Sequence, residues 1–157
     1  RDVIAQYRRS VEVSAIAVHA SDSDVDVTLR HASGPNRGPV RSNSPVTLDL
    51  TVRSNGTRHV ELALGIREGS PSPIFVVQSE QHLVDGHQEL CCRLETLPVP
   101  AGEYALYCTV LDDHGRTIRP WSPIGHIDVD GLRLAPTPTG VVRLSPVAVE
   151  SAWTTTP

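Results

Sequence analysis

His19, His31, His59, His82, His87, His114 and His126 are the residues best suited to move protons or bind a metal. None forms an HExxH or similar ligand pair on one element. His82 and His87 flank a turn signal and read as solvated. Asp112-Asp113-His114 offers an acid–base pair, but no nucleophile pattern such as GxSxG accompanies it. Asp22, Asp24 and Asp26 form a DxDxD string that could face one way on an extended chain and meet a cation. The Gly and distal Glu of a calcium loop are missing, which favours an acidic surface edge. Residues 32–45, ASGPNRGPVRSNSP, invite a phosphate-cradle reading. The P-loop pattern requires a Lys, and this chain has none, so the stretch reads as an exposed turn. Cys91, Cys92 and Cys108 are odd in number and two are adjacent, which is no disulfide framework. One of the adjacent pair could face Cys108 across a sandwich. With no CxxC spacing, reduced core cysteines in a cytosolic domain are the expectation. No catalytic residue, metal or other cofactor is predicted.

Binding chemistry fits the sequence better. A sugar offers apolar C–H faces ringed by hydroxyls, so its sites combine an aromatic platform with a few well-placed polar groups. Tyr107 falls on the polar face of a central strand. The run Arg119-Pro120-Trp121-Ser122-Pro123 places an Arg and a Trp in a loop just before a strand, with His126 following. The competing reading has Trp121 capping the core and Tyr107 in cross-strand packing.

These residues need a scaffold, and the scaffold reads as all-β. The run 97–115, LPVPAGEYALYCTVLDDHG, organises the rest. Pro98, Pro100 and Gly102 punctuate a turn. Tyr104, Leu106, Cys108 and Val110 then alternate with Ala105, Tyr107 and Thr109, the period of a strand with two unlike faces. Asp112 to Gly115 can end it. VTLDLTVR at 46–53 places Val46, Leu48, Leu50 and Val52 inward. Asn55-Gly56 signals a hairpin, and Val60, Leu62, Leu64 and Ile66 return. Further candidates are 11–19, 26–31, 74–79, 87–97 with a turn at Asp85-Gly86 before it, and 124–129. About eight to nine short strands with turns between them predict an antiparallel β-sandwich, immunoglobulin-like or jelly-roll. A short helical stub is expected in 1–9, RDVIAQYRR, from Val3, Ile4 and Tyr7 on one face. After the stiff linker APTPTG comes an apolar stretch at 141–153, suited to pair with its own sheet or with a second copy by strand exchange.

The 157 residues suffice for one domain with a core. The absence of Met predicts an excised piece of a longer protein or a processed product. Net charge is −4 and pI about 5.9, which argues against a nucleic-acid partner. Aromatics are 4%, leaving the core to aliphatic residues. No apolar run approaches the length of a membrane span or a signal peptide.

The order of these runs is similar to a known family. RDVIAQY resembles the closing helix of an ABC-transporter ATPase domain. VEVSAIAVH, SPVTLDLTVRSN, LETLPVPAGEYALYCTVLDD and the final VVRLSPVAVESAW resemble the C-terminal carbohydrate-binding domain of Wzt-type ATP-binding proteins. These export O-antigen and related polysaccharides. The family's L-x-x-G-x-Y-x-L pattern is met loosely at Leu97, Gly102, Tyr104 and Leu106. The resemblance implies residues 1–10 as the tail of an upstream ATPase domain, 11–131 as a β-sandwich, and 132–157 as a linker and C-terminal strand. It implies a non-catalytic domain in the cytoplasm at the inner membrane face, binding the exported glycan before translocation. A homodimer and a membrane permease subunit would be its partners. Tyr107 and Trp121 would stack on sugar rings, and Arg67, Arg119 and His126 would donate hydrogen bonds or meet an anionic group. A structural dimerisation module without glycan affinity is the alternative. An extracellular adhesion domain is disfavoured by the odd cysteine count.

Overall fold

The computed structural model describes residues 24–68, 72–131 and 147. Six antiparallel strands form one curled sheet: β1 (Val25–Ser33), β2 (Val46–Arg67), β3 (Phe75–Gln78), β4 (His82–Leu94), β5 (Gly102–Leu111) and β6 (Thr117–Val129). The path runs β1-β2-β5-β6, with β3 and β4 added against β2. The helical stub and the strands expected at 11–19 and 141–153 lie outside the described residues.

β2 explains the curl. Its inward face alternates on either side of a bend: Val46, Leu48, Leu50 and Val52 before it, and Val60, Leu62, Leu64 and Ile66 after it, are all at most 4% exposed. The first half lies between β1 and β4, and the second half between β3 and β5. The expected Asn55-Gly56 hairpin does not form, and the two expected strands are one. Asn55-Gly56 instead lies in a bulge. Between the pairs Arg53↔His87 and Thr57↔Asp85, β2 holds three residues against Gly86 alone. Gly56 (φ 99°) and Gly86 (φ 68°) both take backbone conformations that favour glycine. Each turn signal is therefore satisfied by a bend in a continuing ribbon, because the partner strand bends at the same level. β4 accordingly starts at His82, and Asp85-Gly86 sits inside it rather than before it.

On the other side of the curl, Leu29 of β1 packs on Gly125 of β6. The core between them is aliphatic, with Leu106, Cys108 and Val110 of β5 at most 1% exposed. Arg30 of β1 and Glu89 of β4 are paired outside, across β2.

The segment before β5 is held by one side chain. Tyr104, 2% exposed, donates its hydroxyl hydrogen bond to the Pro100 carbonyl at 2.8 Å. Leu97 and Val99 are fully buried, and Leu97 exchanges backbone hydrogen bonds with Asn43 and Ser44 of the β1–β2 connection. No helix among the described residues is long and apolar enough to cross a membrane.

Cys91, Cys92 and Cys108 are free thiols. Burial pushes the Cys108 thiol from 9.0 up to about 12, outweighing the opposing influence of the Arg119 charge. A raised folded-state value means stability that is complete below the unfolded value and lost as pH climbs through the folded one. Urea midpoints are therefore expected to fall between pH 9.0 and about 12. They should fall less steeply in Cys108→Ala, and equal slopes would remove Cys108 as the cause. Native-state alkylation at pH 8 should mark exposed Cys91 well before Cys108.

Candidate functional site: an aromatic platform on the outer face

Three strands present one surface on the face opposite the core. Tyr107 of β5 sits between Gly65 of β2 and Pro123 of β6 in the ladder. One step along, Ala105 sits between Arg67 and His126. Small residues at Gly65 and Ala105 leave low ground between larger neighbours.

Trp121 lies over the low ground at Gly65. A Cβ on Gly65 would come within 2.5 Å and 2.6 Å of Trp121 Cη2 and Cζ2, and 3.1 Å of Pro73 Cβ. A side chain and the indole cannot share that space, so the glycine is required for the tryptophan's pose. Tyr107 and Trp121 stack with ring centroids 6.1 Å apart and planes 19° apart. The Arg67 guanidinium carbon stands 4.3 Å from the Tyr107 ring centroid, a cation–π contact. Both aromatic rings remain partly exposed. The result is a continuous surface of indole, phenol ring and guanidinium, bordered by His126.

Of the five residues singled out in the sequence, Tyr107, Trp121 and Arg67 are brought into direct contact, and His126 shares their face. Arg119 is placed elsewhere. The expected loop 119–123 is part of β6, and a bulge between the pairs Cys108↔Ser122 and Val110↔Arg119 turns Arg119 inward, 3% exposed, while Trp121 two residues on faces out. Its Nη1 donates to the Cys108 carbonyl at 3.2 Å, and its Nη2 stands 3.9 Å from Asp26. Burial lowers its pKa, opposed by Cys108 and Asp26. Arg119 therefore cannot reach a ligand on the outer face. Gly65 and Pro73, which frame the indole, are not among those five. An isolated Gly inside a strand pattern is the available signal for a close approach.

The other candidates have structural partners. Asp24 pairs with Arg58 at 2.7 Å, Asp26 faces Arg119, and Asp22 lies outside the described residues. Among the described residues no group of three or more His, Cys, Asp or Glu could hold a metal ion. Asp112 shapes the β5–β6 turn: Oδ1 accepts the His114 and Arg116 N–H groups, and Oδ2 pairs with the Arg116 guanidinium. The hydrogen bond from the Arg116 backbone, followed by those of its side chain and of His114, holds the Asp112 carboxyl below its usual range. His82 and His87 stand at separate ladder positions of β4, opposite Val60 and Arg53, rather than across a turn.

No family model matches the chain, and no curated relative matches it. Among solved structures, the crystal structure of the C-terminal domain of Wzt is similar at a TM-score of 0.58 and 12% identity, covering 86% of this chain and 89% of that one. A looser likeness is to a β-D-mannosidase from Dictyoglomus thermophilum, with TM-score 0.40, 18% identity, 64% of this chain and 12% of that one. The first comparison defines a class by fold: an all-β, antiparallel domain similar to the C-terminal domain of Wzt.

Proposed function

We propose that this chain is a non-catalytic glycan-binding domain of a polysaccharide-export ATPase, acting as a dimer at the cytoplasmic face of the membrane. The observation that carries the reading is the stacked Trp121–Tyr107–Arg67 surface, in a fold similar to the C-terminal domain of Wzt. Stacked rings offer a flat apolar surface to the C–H face of a sugar, while Arg67 and His126 at the border suit its hydroxyls. Partly exposed aromatic stacking across the strands is poorly explained by stability alone, since none of this cluster belongs to the buried core. An immunoglobulin-like sandwich is the architecture we favour. Tyr104 near the start of β5, bonded to a carbonyl four residues upstream, resembles the tyrosine corner of such folds.

The test is calorimetric titration of the chain with the cell-surface polysaccharide of its own organism, with molar mass measured on the same sample. Saturable binding by a dimer supports the proposal. A folded dimer that binds no host glycan replaces it with a dimerisation module.

A further inference from the structure

A second recess lies on a different part of the molecule, where the β1–β2 connection folds back over the outer face of the sheet. Its volume is about 440 Å³, and Asn36, Arg37, Thr47, Asp49 and Arg93 line it together with the loop backbone. Arg93 of β4 and Thr47 of β2 are direct ladder partners, and Asp49 lies two residues along β2.

The loop that brings Arg37 there is held in an unusual backbone state. Asn36 (φ 56°) and Arg37 (φ 58°) are consecutive left-handed residues. For an Arg this conformation costs about 1–2 kcal/mol. It persists because the surroundings over-determine it. The Gly34 N–H donates to the Gly38 carbonyl at 2.8 Å, and the Gly38 N–H to the Pro35 carbonyl at 3.0 Å. A Cβ on Gly34 would overlap the Pro39 carbonyl oxygen. Pro35 and Pro39 fix φ on either side of the tip.

The side chains held this way are not used internally. Among the described residues, neither the Arg37 guanidinium nor the Asp49 carboxylate has a hydrogen-bond or ion-pair partner. Arg93 has only a 3.8 Å contact with Glu95, both well exposed. Nearby on the same side of the sheet, Arg30 is paired with Glu89. Two arginines and a carboxylate thus line one recess without pairing to each other. A bare anion would satisfy the arginines but be repelled by Asp49. A ligand carrying an anionic group and adjacent hydroxyls satisfies both, with the arginines gripping the anion and Asp49 accepting from a hydroxyl. The Asn36 amide and Thr47 hydroxyl add further donors and acceptors.

We infer that this recess is a subsite for an acidic sugar unit, a uronate or a sugar phosphate. It shares no residue with the aromatic platform, so it stands or falls separately from the glycan-platform reading.

Titration of the 157-residue chain, followed by backbone amide shifts in NMR, tests it with sodium D-glucuronate, D-glucose 1-phosphate, D-glucose and acetate. Glucuronate or glucose 1-phosphate, or both, should shift the amides of Asn36, Arg37, Thr47 and Asp49, and their relative affinity tells carboxylate from phosphate. Glucose and acetate should each bind at least about tenfold more weakly, since each satisfies half of the site. Arg37→Ala, at an exposed position, should weaken the acidic ligands by about tenfold or more with the fold unchanged. Asp49→Asn should narrow the gap between glucuronate and acetate. Shifts confined to the Tyr107–Trp121 surface, equal affinity for glucose, an unaffected Arg37→Ala, or no shifts at all would overturn the assignment.

Discussion

Tyr104→Ala is expected to cost about 3–5 kcal/mol, and Tyr104→Phe about 1–3 kcal/mol. The first removes a 2% exposed aromatic side chain from the core at the start of β5, leaving a cavity. The second removes only the hydroxyl. Its loss strands the Pro100 carbonyl, which receives that hydrogen bond at 2.8 Å in a buried position. A domain of this size has a total stability of roughly 5–15 kcal/mol, so the alanine variant consumes a large share of it. The damage should be directional. Leu97 and Val99, both fully buried, lie in the segment that Tyr104 fastens, and Leu97 is bonded in turn to Asn43 and Ser44. Hydrogen exchange in Tyr104→Phe should accelerate first at the amides of Leu97, Val99 and Asn43. Urea midpoints give the magnitudes. A Phe variant as stable as the parent, with unchanged exchange at those amides, would show that the hydroxyl does not hold the loop. Leu83→Ala is a suitable control: Leu83 is 55% exposed, and its loss should change stability by no more than about 0.5 kcal/mol.

The same residues show what the sequence made legible. Strand faces were readable because burial on one side of a sheet imposes a period of two, and Val46 to Val52, Val60 to Ile66 and Tyr104 to Val110 all kept their inward positions. Strand continuity was not readable. Asn55-Gly56 and Asp85-Gly86 carry the chemistry of hairpin turns, but the decisive fact is that they face each other across the β2–β4 ribbon, and pairing between distant residues is not written locally. A positive φ can make a hairpin or a bulge, and the partner strand selects which. The candidate site followed the same rule. Tyr107, Trp121 and Arg67 are residue types suited to sugars, and the register of three strands brings them together. The sequence places Arg119 in a loop just before a strand. β6 instead runs through Pro120 and Pro123, and the register shift against β5 between Cys108 and Val110 puts Arg119 inward while Trp121 faces out, an offset that alternation along the sequence does not show. The strained tip at Asn36 and Arg37 left no mark beyond a Gly- and Pro-rich composition, since its conformation depends on closure between Gly34 and Gly38.

Gly65→Ala separates a working platform from mere packing. The added Cβ falls 2.5 Å from Trp121 Cη2, so the indole must leave its place over β2 and with it the stack on Tyr107. Nothing in the core is touched, because Gly65 points away from it, between the inward residues Leu64 and Ile66. The stability change should therefore stay within about 1 kcal/mol, the loss of one aromatic contact set against the lower chain entropy of Ala. If the surface binds glycan as proposed, affinity should fall by at least about tenfold in Gly65→Ala and by a similar factor in Trp121→Ala, the range expected when a central aromatic anchor is lost. The indole's movement can be read directly: in a Trp153→Phe background Trp121 is the single remaining Trp of the two in the chain, and its emission should shift to the red. Arg67→Ala tests the other side of the stack and should weaken binding less, because the two rings remain. The decisive combination is red-shifted emission with retained stability. Binding lost alongside it ties the stacked geometry itself to recognition. Binding kept at full strength in the same variant would mean that Trp121 and Tyr107 only pack against the strands, and the glycan-contacting surface would have to be sought elsewhere on the domain.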